Sequence, residues 1–233
     1  MICRIADFNV KFKNPSAKMQ YYLKNYVTDA PADFEVEISA NDIETFRGNV
    51  KFEATEFQLE SAAFYNKILE QLPLYNAMFL HASLIEVGGV GVAFTALSGT
   101  GKSTHTLLWQ RLLGDKITII NGDKPIIRFI DDIHYGYGTP WNGKEGLGTN
   151  KKVPIKHICF IERSENNSCE KITAQTALKS IFSQIFVPNN VLATTKTLEL
   201  LNTLLEKCTI WKIKCNTDIE AAQIAYNTIF KEN

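Results

Sequence analysis

The sequence predicts an α/β fold in two parts, and this prediction rests on three observations. Beyond residue 75, apolar β-rich runs alternate with amphipathic segments, which is the pattern of a sheet covered by helices. A glycine-rich loop ending in lysine joins one of these runs to the next helix, as in a P-loop core. Residues 1–75 instead combine short alternating runs with helical segments. We therefore expect a small N-terminal α+β unit over 1–75 and a P-loop domain over 76–233.

The elements of the first part follow from the spacing of apolar residues, which alternate in strands and recur every three or four positions in helices. Gly48-Asn49 resembles a tight-turn dipeptide in reverse order, which favours a hairpin around it. Pro73 ends the last helix. In chain order we expect a strand within 2–12, a helix within 15–27, a strand at 34–38, two short strands within 46–57, and a helix at 59–72.

The second part reads as alternating strands and helices. Gly114 ends the helix after the glycine-rich loop, and Thr217 with Glu220 has the spacing of a capping box. Residues 131–150 are rich in glycine and turn formers, and an irregular stretch of this length is typical of a functional loop. The predicted strands are 79–87, 90–96, 116–120, 125–130, 155–161 and 209–214, and the predicted helices are 103–113, 174–186, 194–207 and 218–230.

Composition excludes several classes of protein. Of 233 residues, 45% are hydrophobic, which is enough for a substantial core. The 25 basic and 25 acidic residues leave no net charge, so we expect no binding to nucleic acid. No apolar run reaches the roughly 18 residues of a membrane span, and the scattered cysteines form no CxxC pair. We expect a cytoplasmic protein without a zinc site or membrane contact; whether it forms a homo-oligomer stays open.

The strongest functional signal is the glycine-rich loop, residues 96–104, which we call the phosphate loop. Its backbone N–H groups and the following helix N-terminus suit phosphate oxygens. Lys102 is placed to reach the β- and γ-phosphates, and the Ser103 hydroxyl to hold Mg²⁺. Ala96 stands where the motif usually has glycine, so we expect a negative φ there. The predicted nucleotide-binding residues of the loop are Ser98, Gly99, Thr100, Gly101, Lys102, Ser103 and Thr104.

Asp123 follows a predicted buried strand, one unit after the phosphate loop. An acid at this place is typical of a carboxylate that holds the metal or takes the proton of an attacking hydroxyl. The alternative is a polar turn residue without a chemical role. His81 lies in another apolar run, where a hydrogen-bonded core histidine is the simpler interpretation. Both residues gain a possible role from a family resemblance.

Residues 81–102, with the sequence HASLIEVGGVGVAFTALSGTGK, resemble the catalytic core of the bacterial HPr kinase/phosphorylases. This resemblance implies the fold that these enzymes share with phosphoenolpyruvate carboxykinases. It also implies transfer of a phosphoryl group, with Mg²⁺, from a nucleotide such as ATP or from pyrophosphate to a protein serine hydroxyl. His81 matches the histidine near the acceptor serine, and Asp123 matches the first of two paired acids. The resemblance therefore makes Asp123, His81 and Lys102 the expected catalytic residues, with Ser103 and Asp123 as metal ligands.

Two positions depart from the family pattern. Thr104 replaces the acid that follows the loop serine, and Lys124 replaces the second of the paired acids. The loss of that acid puts reverse phosphorolysis in doubt. Arg128 and Lys144 are further candidates for neutralising the triphosphate, although Arg128 and Glu145 could equally be solvated surface charges. Trp141 would stack on a ligand or anchor its loop.

The sequence thus predicts a Mg²⁺-dependent kinase that transfers the γ-phosphoryl group of a nucleotide triphosphate to a serine-like hydroxyl. Its acceptor would be a protein, a peptide or a small molecule. Two alternatives remain. A nucleotide-binding regulatory module without catalysis is compatible with Lys124 and Thr104. Carboxykinase chemistry is the other, but this chain has no room for the large substrate lobe of those enzymes.

Overall fold

The computed structural model describes residues 1–50 and 53–231 and has a mixed α/β architecture. Its N-terminal part holds a three-stranded sheet in the order β1-β2-β3, with β1 antiparallel and β3 parallel to β2. Each of the three helices here begins at a serine or threonine whose side chain accepts a backbone N–H bond. The elements are β1 (Ile2–Ile5), β2 (Phe8–Phe12), α1 (Ala17–Leu23), β3 (Phe34–Val36), α2 (Ala40–Asn49) and α3 (Glu56–Gln71).

The predicted hairpin within 46–57 is wrong, because helix α2 covers its first four residues, including the expected turn at Gly48-Asn49. Ser39 and Asp42 form a capping box in which each side chain accepts a bond from the other's backbone N–H. This local signal starts a helix that continues through Gly48. Residues 51 and 52, within the predicted hairpin, lie outside the described residues.

A nine-stranded mixed sheet forms the centre of the second part. The strand order is β4-β8-β9-β10-β6-β5-β7, with β12 paired to β10 and β11 paired to β12. The elements are β4 (Ala77–Phe79), β5 (Ala82–Val87), β6 (Val90–Thr95), α4 (Lys102–Leu113), β7 (Ile117–Asn121), β8 (Ile126–Ile130), β9 (Ile133–Tyr137), β10 (Lys152–Arg163), β11 (Ser168–Ile172), α5 (Ala174–Phe182), α6 (Val191–Lys207), β12 (Thr209–Cys215) and α7 (Ile219–Lys231).

Helices cover both faces of this sheet. Trp109 of α4, Ile229 of α7 and Phe94 of β6 belong to one buried apolar cluster on one face. Ile181 of α5 and Leu204 of α6 belong to a separate apolar cluster on the other face. No helix in the described ranges is long and apolar enough to cross a membrane. The three-layer arrangement places the phosphate loop at one end of the sheet, between β6 and α4.

The N-terminal part and the large sheet share one hydrophobic core. Phe12 and Phe64 of the N-terminal part lie in the same buried cluster as Phe79 of β4 and Trp141. Phe12 and Phe64 meet edge to face with ring centroids 5.1 Å apart, and Trp141 meets Phe79 in the same manner at 5.9 Å. The division near residue 75 stays a prediction, and apolar contacts cross it.

The structure differs from the predicted elements in two places that matter for the site. The run predicted as one strand over 79–87 is divided into β4 and β5, and His81 lies in the break between them. Residues 131–150 are not irregular throughout, because β9 occupies Ile133–Tyr137 and only the following stretch forms a loop. Strand β11, an exposed edge strand, had no predicted counterpart.

Candidate functional site

The phosphate loop leaves the end of β6 and enters α4. Gly99 and Gly101 have φ values of +77° and +121°, which L side chains rarely adopt, so glycine suits both positions. Ala96 has a negative φ, in agreement with the expectation for an alanine at the first position of the motif. Lys102 is the first residue of α4, directly after the helix cap at Gly101. The loop therefore ends at a helix N-terminus, where backbone N–H groups are free to bind an anion.

The Lys102 ammonium is folded back against the phosphate loop. Its Nζ donates to the carbonyl oxygen of Ala96 at 3.0 Å, and the residue is 8% exposed. Burial lowers the pKa of Lys102, while the negative charge of Asp123 opposes this shift. The charge of Asp123 compensates the Lys102 ammonium only in part, so an anion bound to the phosphate loop would stabilise this ammonium further.

The turn after β7 is fixed by the buried residue Asn121. Its Oδ1 accepts the backbone N–H bonds of Asp123 at 2.9 Å and Lys124 at 2.7 Å. Its Nδ2 donates to the carbonyl and hydroxyl oxygens of Thr139, at 3.2 and 3.0 Å. This Asx-type turn directs the Asp123 backbone out of the strand in a defined conformation.

Asp123 lies between two potential cations. His81 Nε2 is 3.2 Å from Asp123 Oδ1, and the Lys124 ammonium contacts Oδ2. Burial raises the pKa of Asp123, but hydrogen bonding to His81 and the charge of Lys124 outweigh burial and hold the pKa at about 2. The carboxylate is therefore ionised at neutral pH and available as an oxygen ligand or hydrogen-bond acceptor.

These groups surround one open cavity of about 520 Å³ between the phosphate loop and the turn after β7. Four cationic side chains and two carboxylates line it, so the cavity favours an anion. Gly143 (φ +85°) lets the loop after Trp141 pass close to Asp123, since a Cβ there would be 3.2 Å from the Asp123 Cβ. The lining residues are His81, Ser98, Gly99, Gly101, Lys102, Ser103, Thr104, Gly122, Asp123, Lys124, Gly143, Lys144, Glu145 and Arg163.

The cavity brings together most of the residues singled out from the sequence. His81, Asp123 and Lys144 meet the phosphate loop there. Thr100 is not among the described residues that line this cavity, and it instead lines two further cavities beside the phosphate loop.

The expectation that Arg128 binds the nucleotide is corrected by its position. On β8, the Arg128 guanidinium donates to the carbonyl oxygen of Ala6 at 3.1 Å and lies 4.0 Å from the ring centroid of Phe8. The side chain therefore joins β8 to the N-terminal part, where the aromatic face and the carbonyl compensate its charge. The described residues lining the phosphate cavity do not include it.

Sequence reasoning missed Arg163. Strand β10 runs parallel to β6, with Phe160 opposite Thr95, and it continues past the end of β6 to Arg163. There the guanidinium donates to the carbonyl oxygens of Thr100, at 3.0 Å, and Gly99. A basic residue two positions beyond the predicted strand 155–161 was the available signal, but the sequence alone does not show that this strand lies beside β6.

The loop that carries Lys144 is held by the N-terminal part. The Tyr22 hydroxyl donates to the carbonyl oxygen of Pro140, and the Trp141 indole N–H donates to the Ser61 hydroxyl at 3.1 Å. Trp141 is 7% exposed, so it anchors the loop, the second of the two roles considered for it. The N-terminal part thus supports one wall of the phosphate cavity.

A second cavity of about 650 Å³ adjoins the first at Thr104 and Arg163. Glu165, Asn216 and Thr217 supply polar groups on its far side. His105 also lines it, and its Nε2 accepts the Trp109 indole N–H at 3.0 Å. This bond gives His105 a structural role.

The donor set in the phosphate cavity fits magnesium. The Ser103 hydroxyl and the Asp123 carboxylate line the same space. Mg²⁺ is commonly held by one or two carboxylates together with phosphate oxygens and water. In the described ranges no group of three or more His, Cys, Asp or Glu residues forms a metal site by itself. A metal here would therefore depend on oxygens from a bound phosphate.

No family model and no curated protein matches the chain. Among solved structures, the chain is similar to the Hpr(Ser) kinase/phosphatase from Coxiella burnetii, with a TM-score of 0.36 and 11% sequence identity. The alignment covers 66% of this chain and 97% of that chain. Any functional assignment therefore depends on the residues of the cavity itself.

Proposed function

We propose that the protein is a Mg²⁺-dependent phosphotransferase that moves the γ-phosphoryl group of a nucleotide triphosphate to a serine-like hydroxyl. The observation that carries this proposal is the convergence of Asp123, His81 and Lys102 on one cavity beside a glycine-containing loop at a helix N-terminus. Phosphoryl transfer requires mainly positioning and neutralisation of charge. The loop, the lysines and the carboxylate supply both.

The binding mode follows from the order of the loop residues. Backbone N–H groups around Gly99 and Gly101 would cradle the phosphates, and the Lys102 ammonium would turn from Ala96 to the β- and γ-phosphates. Lys144 and Arg163 add positive charge at the cavity wall. The nucleoside would extend past Thr104 into the adjoining cavity of about 650 Å³, where Glu165 and Asn216 offer hydrogen bonds.

Asp123 is the group best placed to act on the acceptor. Its carboxylate would accept the proton of the attacking hydroxyl, and His81 Nε2, at 3.2 Å, would hold the carboxylate in orientation. Ser103 and Asp123 are the residues that would hold magnesium. When bound, the ion neutralises charge on the phosphate oxygens. The acceptor would be a protein, a peptide or a small hydroxylated molecule.

The test compares the wild type with Lys102→Met, which keeps the aliphatic stem of a buried side chain and removes its charge. Calorimetric titration with ATP and Mg²⁺ should show a Kd about 10–100-fold higher for the variant, the scale for a charge-assisted hydrogen bond. Ala96→Gly is the matched control in the same loop and should bind as the wild type does, since Ala96 already has a negative φ. Equal affinities of wild type and Lys102→Met would contradict the phosphate-loop assignment.

A second candidate function is a nucleotide-binding module that transfers nothing. The contact between Lys124 and Asp123 favours it, because an ammonium that occupies the carboxylate competes with both metal and acceptor. The two functions differ in turnover. Release of ADP that depends on Mg²⁺ and increases with a hydroxyl acceptor supports the phosphotransferase, and tight ATP binding without ADP release supports the module.

A further inference from the structure

We propose that Gln184 is a positioning residue that fixes the ring orientation and the Nδ1 hydrogen of His81. The inference deepens the proposed function, because it concerns how His81 presents Nε2 to Asp123. Gln184 follows helix α5 and is 3% exposed. Its Oε1 is 2.9 Å from His81 Nδ1, on the side of the ring opposite Asp123.

The backbone around His81 is held at several points. The His81 N–H donates to the carbonyl oxygen of Gln184 at 2.8 Å, and the His81 carbonyl accepts from the Thr95 hydroxyl at 3.1 Å. The next residue, Ala82, donates its N–H to the Asp123 carbonyl oxygen at 3.0 Å. The break between β4 and β5 is therefore tied both to the segment after α5 and to the turn that carries Asp123. These bonds fix the backbone only, so the orientation of the imidazole ring depends on the contacts of its two nitrogens.

Two serines determine which end of the Gln184 amide faces the ring. The Ser183 hydroxyl donates its only hydrogen to the carbonyl oxygen of Ser180 at 2.8 Å. It can therefore only accept from Gln184, whose Nε2 lies 2.7 Å away. With its NH₂ group directed to Ser183, Gln184 presents its oxygen to His81. An oxygen of this kind accepts only, so Nδ1 of His81 must carry a hydrogen.

This arrangement determines what His81 offers to the cavity. With the Nδ1 hydrogen directed to Gln184, the ring cannot turn over without losing that bond. Nε2 then faces Asp123 Oδ1 at 3.2 Å, where it can donate a hydrogen bond to the ionised carboxylate. Gln184 lines a neighbouring cavity and is not among the described residues around the phosphate cavity. It thus acts through His81 and does not touch the reacting groups.

The test uses Gln184→Met, which keeps the side-chain length and removes the acceptor, and Gln184→Glu, whose carboxylate restores it. In the wild type and in Gln184→Glu, ¹⁵N NMR of the His81 ring should show an Nδ1-bound hydrogen in slow exchange with water. In Gln184→Met that signal should be lost. With kcat measured at saturating ATP, Gln184→Met should fall about 10–100-fold, the scale for outer partners that orient functional histidines. Its KM for ATP should stay within about threefold, since the phosphate loop is untouched.

Either a retained slow-exchange signal or an unchanged kcat in Gln184→Met overturns the inference. Urea unfolding checks that the variant is folded. If it is not, Gln184→Asn, which keeps the amide but withdraws it by one methylene, replaces it with the same two expectations. Should the wild type transfer no phosphoryl group, the proposed function fails while the NMR comparison still decides the role of Gln184.

Discussion

Arg163, at the end of β10, donates through Nε to the carbonyl oxygen of Thr100 at 3.0 Å, so a residue from a neighbouring strand holds the phosphate loop. A second bond from the same guanidinium to Gly99 leaves two loop carbonyls fixed by one side chain. Carbonyl oxygens held on the outer side of a loop allow its N–H groups to face inward. The loop conformation is thus supported by the sheet as well as by its own glycines.

Arg163→Met is expected to raise the Kd for ATP with Mg²⁺ about tenfold, because it loosens the loop and removes one cation from the cavity. Calorimetric titration measures the change. Arg111→Met, at the exposed end of α4, is the matched control and should bind as the wild type does. An unchanged Kd in Arg163→Met would mean that the glycines alone hold the loop.

Asp123→Asn is expected to lower phosphoryl transfer about 10²–10⁴-fold, the scale for loss of a positioned general base. The amide keeps the shape of the carboxylate, but it cannot take a proton and is a weak magnesium ligand. ATP binding should change much less than turnover. Asp115→Asn, an exposed acid beyond α4, provides the control. Transfer at the wild-type rate would make Asp123 a structural turn residue.

Reverse phosphorolysis is expected to be slow. Lys124 directly follows Asp123, and its ammonium contacts the Asp123 carboxylate. This contact helps to lower the pKa of Asp123 and makes the carboxylate a weaker base toward inorganic phosphate. The assay incubates phosphorylated acceptor with enzyme, Mg²⁺ and phosphate and measures pyrophosphate. Release as fast as forward transfer would show that one carboxylate suffices.

Much of this site was accessible from local sequence, whereas the parts that depend on strand neighbours were not. The phosphate loop, β6 and α4 follow from an apolar run, two glycines and a helix pattern, all close in the chain. Arg128 and Arg163 both lie on strands, and nothing local indicates that the first meets the N-terminal part and the second the phosphate loop. Gln184 reaches His81 across 103 positions of sequence, a pairing that only the fold creates.

The protein should lose stability in mild acid because two histidines are buried and a third is half-buried. Burial, with a nearby lysine in two of the three cases, lowers the pKa values of His105, His134 and His157 to about 4. The unfolded chain binds these protons near pH 6.5, so the free energy of unfolding falls as pH decreases from about 6.5 to 4. His105, the most buried, should account for about 2 kcal/mol between pH 7.5 and 5.

Urea unfolding at pH 7.5 and pH 5 measures this loss, and His105→Gln should reduce it. Glutamine retains a side-chain oxygen that can accept the Trp109 indole N–H and has no proton to bind in this range. A wild type equally stable at both pH values would contradict the prediction. So would a His105→Gln variant that loses as much stability as the wild type.

Trp141→Phe is expected to reduce both stability and turnover. The change removes the bond from the indole N–H to Ser61, at a cost of about 1 kcal/mol, and loosens the loop that carries Lys144. Trp211→Phe is the matched control, since it also removes an indole bond, 3.1 Å to His157, but on β12 away from this loop. The control should lose stability without losing kcat. If kcat is the same in Trp141→Phe and Trp211→Phe, the contact of Trp141 with Ser61 does not affect catalysis.

The aromatic cluster that joins Phe12 and Phe64 to Phe79 and Trp141 has a consequence for how the chain responds to its ligand. A ligand stabilises every segment whose opening would disrupt its site. Because that cluster supports the wall of the phosphate cavity, bound nucleotide should slow amide hydrogen exchange in β2 as well as beside the loop. For the same reason, a fragment cut at residue 75 would expose half of an apolar interface. The phosphate cavity is therefore not a self-sufficient unit, because removing the N-terminal part would remove the packing that supports its wall.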